Sequence, residues 1–140
     1  MTCGHGKGAV KNLSRNVFAI VLISVTLNAS SPIAQSFSCD MLSSNLDDAR
    51  TKLKRAANET DFDSAKHYAR RAKSALEDAA YSARDCGCDY AANELDAAAM
   101  KARRARDADD PGEFTEALNK TIKYYNSGLE ALQKCVSHRR

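Results

Sequence analysis

The residues of this chain best suited to chemistry are its cysteines. Cys86 and Cys88 are separated only by Gly87, while Cys39 lies 47 positions before Cys86 and Cys135 lies 47 positions after Cys88. Sulfur chemistry offers three uses for such a set. Four reduced thiols at one place could hold Zn(II) or Cu(I), since both take tetrahedral sulfur sites. Structural zinc sites usually bring their ligands as pairs roughly two to four residues apart. Here one pair has a single residue between its members and the other two cysteines stand alone, so no metal is expected. Second, Cys86-Gly87-Cys88 resembles a redox dithiol, in which one thiolate attacks a substrate disulfide and the start of a following helix lowers the pKa of Cys88. Third, the four can form two disulfides. The third use accounts for the spacing without spare groups, and hairpin geometry favours Cys39 with Cys86 and Cys88 with Cys135. The crossed pairing, Cys39 with Cys88 and Cys86 with Cys135, stays open because spacing alone does not fix connectivity.

Disulfides need an oxidising compartment, and the N-terminus supplies a route to one. Residues 1–36 carry Lys7, Lys11 and Arg15 with no acid, then an apolar run from Val17 to Leu27, then a polar tail of small residues. This is the pattern of a secretory signal. The apolar run is eleven residues, short of the roughly 20 that span a bilayer as a helix. Cleavage after Ser36 or after Ala34 leaves Cys39 near the mature N-terminus. Cys3 departs with the signal, and an even set of four cysteines remains. The exported product is expected in a periplasm or outside the cell, with no transmembrane segment.

The whole chain holds 21 basic and 18 acidic residues. The signal removes three basic residues and no acid, so the mature chain is neutral, with 18 of each. Nothing global then favours nucleic acid or an anionic membrane as partner. Residues 37–140 are expected to form a single domain, with hairpin one at 39–86 and hairpin two at 88–135.

The elements that must position the cysteines follow from apolar spacing. Leu42, Leu46, Ala49, Leu53 and Ala56 alternate four and three apart, predicting a helix over 40–58. Thr60, three residues ahead of Asp63, reads as the cap of a second helix. That helix carries Phe62, Ala65, Ala69, Ala72, Leu76, Ala79, Ala83 and Cys86 on one stripe. Gly87 then suits the left-handed conformation that ends a helix. A third helix runs from Cys88 through Ala91, Leu95, Ala98, Ala102 and Ala105. Asp110, Pro111 and Glu113 mark the start of a fourth, with Leu118, Ile122, Tyr125, Leu129, Leu132 and Val136 along it.

The first and third helices correspond position by position: Cys39 with Cys88, Asp40 with Asp89, Leu46 with Leu95, Asp47 with Asp96, Lys52 with Lys101. The chain thus reads as two copies of one hairpin. The expected fold is all-α, an antiparallel four-helix bundle of two tandem disulfide-closed helical hairpins. Its seams are mainly alanine, which allows close approach but buries little area per residue, so the disulfides must supply much of the stability.

No further chemistry is assembled. The two mature histidines, His67 and His138, have no acid or nucleophile arranged around them, and there is no phosphate loop or catalytic triad order. No catalytic residue and no cofactor are expected. Lys101, Arg103, Arg104 and Arg106, echoed by Lys52, Lys54 and Arg55, form a candidate surface for an anionic partner. The competing account pairs these helix-end bases with Asp61, Asp63, Asp109, Asp110 and Glu113 at neighbouring helix starts. Tyr68, Tyr81, Tyr90, Tyr124 and Tyr125 are expected at core edges, although Tyr124 and Tyr125 cannot both face one seam. Asn58-Glu59-Thr60 and Asn119-Lys120-Thr121 match the glycosylation acceptor pattern. The functional expectation is a non-enzymatic interaction, adaptor or structural module with an unidentified protein partner; the alternative is a thiol protein, metal-binding or disulfide-exchanging, working through Cys86 and Cys88.

Overall fold

The structure is a computed structural model that describes residues 40–138. Those residues form four α-helices and no strand: α1 Asp40–Asn58, α2 Phe62–Asp85, α3 Asp89–Arg106 and α4 Pro111–Ser137. The expectations for residues 1–36 and for Cys39 lie outside the described residues.

Local chemistry sets the helix ends. The carboxylate of Asp61 accepts the Ser64 backbone N–H at 2.8 Å and caps α2. Thr60, the residue expected in that role, instead donates its own N–H to the Glu59 side chain. The N-cap must sit immediately before the first helical residue, here Phe62, and that place belongs to Asp61. Hydrogen bonding from the Ser64 side chain, and from its backbone N–H, holds the Asp61 carboxyl below the usual carboxylate range. At α4, Asp110 accepts from the Gly112 and Glu113 N–H groups at 2.7 and 3.0 Å, with Pro111 in the first turn. Glu113 reaches back to the Asp109 N–H at 3.1 Å, one residue earlier than a strict capping box.

Between α2 and α3 the chain reverses through Gly87 at φ 65°. The Gly87 N–H donates to the Arg84 carbonyl at 2.7 Å and the Cys88 N–H to the Ala83 carbonyl at 2.9 Å. This is the Schellman arrangement, in which a left-handed residue lets two N–H groups satisfy the last open carbonyls of the helix. A side chain at Gly87 would have to adopt a conformation that L residues rarely take.

The buried residues form one core, in which α2 and α3 contribute mainly alanines while leucines from α1 and α4 flank them. Consecutive helices pack against each other, α1 on α2, α2 on α3 and α3 on α4, whereas α1 and α4 approach over a much smaller area. Side-chain size explains the difference. Alanine seams let helix axes come together, but α1 presents Leu42, Leu46 and Leu53 and α4 presents Leu118, Tyr125 and Leu132, and larger side chains hold axes apart.

Specific contacts tie the pairs. Near the start of α1, Asn45 donates to the Ser82 hydroxyl at 2.9 Å and the Asp78 carbonyl at 3.3 Å, both in the later turns of α2. Near the end of α1, the Arg55 guanidinium stands 5.6 Å from the Tyr68 ring centroid, early in α2. Phe62 meets Phe114 edge-on with centroids 5.9 Å apart, and Lys66 donates to the Ala108 carbonyl at 2.8 Å. The beginning of α2 is thereby fastened to the connection between α3 and α4.

Candidate functional site

The cysteine end is built by the Gly87 turn. Cys86 closes α2 and Cys88 stands at the N-cap position of α3 without a side-chain capping bond, and both are buried, at 4% and 3% exposure. Cys88 is bonded to Cys135, with Cα atoms 5.9 Å apart, and this bridge ties the start of α3 to the last turns of α4. Cys86 is itself disulfide-bonded; its expected partner, Cys39, falls outside the described residues. The two sulfurs of Cys86-Gly87-Cys88 are therefore engaged in separate bonds rather than with each other, and neither is a free thiolate. Among the described residues no cluster of histidine, cysteine and carboxylate is arranged to hold a metal ion.

The basic group at the other end of α3 is largely answered within the chain. Arg106 donates to both carboxylate oxygens of Asp107 at 2.6 and 2.8 Å. Arg103 lies 3.8 Å from the same carboxylate, and hydrogen bonding to Arg106 holds Asp107 below the usual carboxylate range. The Lys101 ammonium stands 5.8 Å from the Tyr124 ring centroid. Arg104 is exposed and has no ion pair among the described residues. Pairing within the chain thus occurs, but not with the acids expected from sequence. Asp61 and Asp110 are occupied as caps and Glu113 binds a backbone N–H, while Asp107, at the end of α3 itself, takes the arginines. Of the echoing residues on α1, Lys52 pairs with Asp48 at 3.1 Å and Arg55 lies against Tyr68.

The tyrosines divide sharply. Tyr125 is buried and its hydroxyl donates to the Leu46 carbonyl at 3.0 Å, linking α4 to α1. Burial pushes its pKa up to about 12. Tyr68 and Tyr124 pack partly buried against the core. Tyr81 and Tyr90, expected at core edges, are instead exposed, at 65% and 72%. Alanine on the seam accounts for this: a helix axis drawn close to its neighbour leaves no flank deep enough to shelter a phenol on the outward face. His67 and His138 lie at the surface, the first 3.1 Å from Arg70 and the second beside the Lys134 carbonyl.

The acceptor patterns differ in access. Asn58 and Thr60 are exposed at the end of α1, whereas Thr121 is fully buried inside α4 with its hydroxyl donated to the Ala117 carbonyl at 2.9 Å.

Gly128 had no visible role in sequence. A Cβ there would stand 2.9 Å from Leu95 Cδ2 and 3.0 Å from Leu95 Cγ, so glycine is what lets α4 lie this close to α3. The hydroxyl of Tyr125 and the amide of Asn45 were likewise illegible as cross-helix donors, because their acceptors lie 79 and 33 to 37 positions away. Among the described residues no helix is long and apolar enough to cross a membrane, and comparison with family models, curated proteins and solved structures gives no match to this chain.

Proposed function

We propose that the mature chain is an exported, non-enzymatic scaffold whose two disulfide-closed hairpins form an antiparallel helical bundle, and that it acts as a protein-interaction or structural module of the cell envelope or the extracellular space. The observation that carries this reading is a set of large apolar side chains held in solvent on rigid helices: Met41 at 64%, Tyr81 at 65%, Tyr90 at 72% and Met100 at 63% exposure. Single exposed apolar residues are common on any surface. These side chains are tyrosines and methionines, which are among the residue types enriched where proteins bind proteins. Three of them, Met41, Tyr81 and Tyr90, lie within two turns of the helix ends near Cys86 and Cys88. Engagement of Cys86 and Cys88 in disulfides supports a stapling role for the cysteines and an oxidising location.

A photo-crosslinking residue placed at 81 or 100, in cells that make the protein, tests the proposal. The expected result is a discrete adduct recovered outside the cytosol, absent when the same probe replaces exposed Lys120. Loss of export, or no adduct from either position, would overturn it.

A further inference from the structure

The third helix carries two stripes of the same period. Ala91, Leu95, Ala98, Ala102 and Ala105 are buried. On the opposite face Tyr90, Asn93, Ala97, Met100 and Arg104 recur three and four residues apart, exposed except for Ala97, which is half-buried. A coiled-coil seam needs this spacing, and nothing in the described chain covers it. Tyr90, Ala97 and Met100 are apolar, Asn93, the second member, is polar and the last is a cation. Its charges are as informative as its apolar residues. The first half of α3 carries Asp89, Glu94 and Asp96; the last turns carry Lys101, Arg103, Arg104 and Arg106. Asp96 is bridged to Arg84 of α2, Arg103 and Arg106 to Asp107, and Lys101 lies over Tyr124. Glu94, one heptad before Lys101, falls on the α4 flank. Asp89 and Arg104 remain exposed at opposite ends of the stripe, with no ion pair among the described residues.

We propose that this face binds a second copy of the chain, α3 against α3 in antiparallel register. The proposal rests on the interaction-module reading and names its partner. Antiparallel pairing sets Tyr90 opposite the second copy's Met100, giving sulfur–aromatic contacts at both ends. It sets Asn93 opposite the second copy's Ala97, whose small methyl leaves the amide room to reach water at the edge of the seam. A polar seam residue costs stability but specifies register. Helical side chains lean toward the helix N-terminus, which carries each Arg104 toward the other copy's Asp89. Parallel pairing would set arginine on arginine and aspartate on aspartate, so the charge pattern selects the antiparallel form. One helix per copy covers less than the roughly 1,600 Å² of a standard interface, and Asn93 weakens its centre, so the dimer forms at high micromolar concentration.

The test is sedimentation equilibrium of the oxidised, exported protein from about 10 µM to 1 mM. The mass should rise from one chain toward two. Arg104→Glu and Asp89→Lys should each raise the dimer dissociation constant about tenfold, since each turns two attractions into repulsions. Combined, they should return it to near the original value. Residues 89 and 104 are ~22 Å apart along their own helix at 1.5 Å per residue, so rescue cannot arise within one chain. Both substitutions also oppose the helix dipole, so recovered dimer cannot reflect a more stable α3. Failure of the pair to rescue, or a dimer insensitive to both single variants and to Met100→Glu, overturns the proposal. A monomer at all concentrations that still yields an adduct with a different chain from position 100 overturns only the self-association; a monomer with no adduct overturns the interaction reading as well.

Discussion

Replacing Cys88 and Cys135 together by alanine isolates the contribution of one bridge. The bond closes a loop of sequence separation 47. Removing that constraint returns chain entropy to the unfolded state worth about 4 kcal/mol on the loop-closure relation, and native disulfides typically contribute about 2–4 kcal/mol. The alanine seams make this a large share of the total, because small domains are stable by only about 5–15 kcal/mol and burying alanine removes little apolar surface from water. Alanine is preferred to serine at both positions, since Cys88 is buried at 3% exposure and a hydroxyl there would add its own desolvation cost. Unfolding followed by circular dichroism in urea, under oxidising conditions, should show the midpoint falling by about 2–3 M at a denaturant slope near 1–1.5 kcal/mol/M. Melting should fall by roughly 15–30 °C. A midpoint moved by less than about 0.5 M would refute the stapling argument: the core alone would then hold the domain, and the cysteines would need another explanation.

Tyr125→Phe should cost about 1 kcal/mol through the lost bond to the Leu46 carbonyl. It should also remove an alkaline component of stability. With the folded-state pKa raised from 10.0 to about 12, the folded protein keeps its phenol proton where the unfolded chain loses it. The stabilisation is full below pH 10 and declines, by on the order of 2 kcal/mol, as the pH rises to 12. Urea midpoints of the two proteins should converge and then cross within that window, leaving the phenylalanine variant the more stable at pH 12, and parallel profiles would count against the buried donor. Gly128→Ala gains about 1 kcal/mol of helix propensity but forces a methyl group against fully buried Leu95, for which overpacking costs about 1–3 kcal/mol. The net expectation is a loss of about 1 kcal/mol, visible in a melt; a stabilised variant would mean that α3 and α4 separate freely.

Much of the fold was legible because each helix announces itself twice, by its stripe and by its ends. Leu42 to Ala56 and Cys88 to Ala105 repeat at three and four, and Asp110-Pro111 and Gly87 are local signals whose hydrogen bonds involve residues within a few positions. What escaped depends on partners distant in sequence or on depth. The arginines of α3 could be expected to meet acids, but which acids were free depended on Asp61 and Asp110 being spent as caps. The pairing of α1 with α4 depends on side-chain bulk across two intervening helices. Tyr81 and Tyr90 were misplaced by their neighbours. Each adjoins a buried alanine, Ala80 and Ala91, yet adjacent residues are turned about 100° around a helix, and how far the core extends round that flank is not written in the spacing.

The alanine seams have a mechanical corollary. Methyl groups make shallow ridges, and shallow ridges resist sliding of one helix along another poorly compared with interlocking leucines. Such rods keep their alignment mainly through what fastens their tips. Here the tips are fastened at both ends, by the Cys88–Cys135 bond at one and by the Phe62–Phe114 and Lys66–Ala108 contacts at the other. Loosening the Phe62–Phe114 and Lys66–Ala108 end should let α2 and α3, whose shared seam is mainly alanine, shift against one another while each remains helical, so that far-ultraviolet dichroism would record almost nothing as the shape of the surface they jointly present changes.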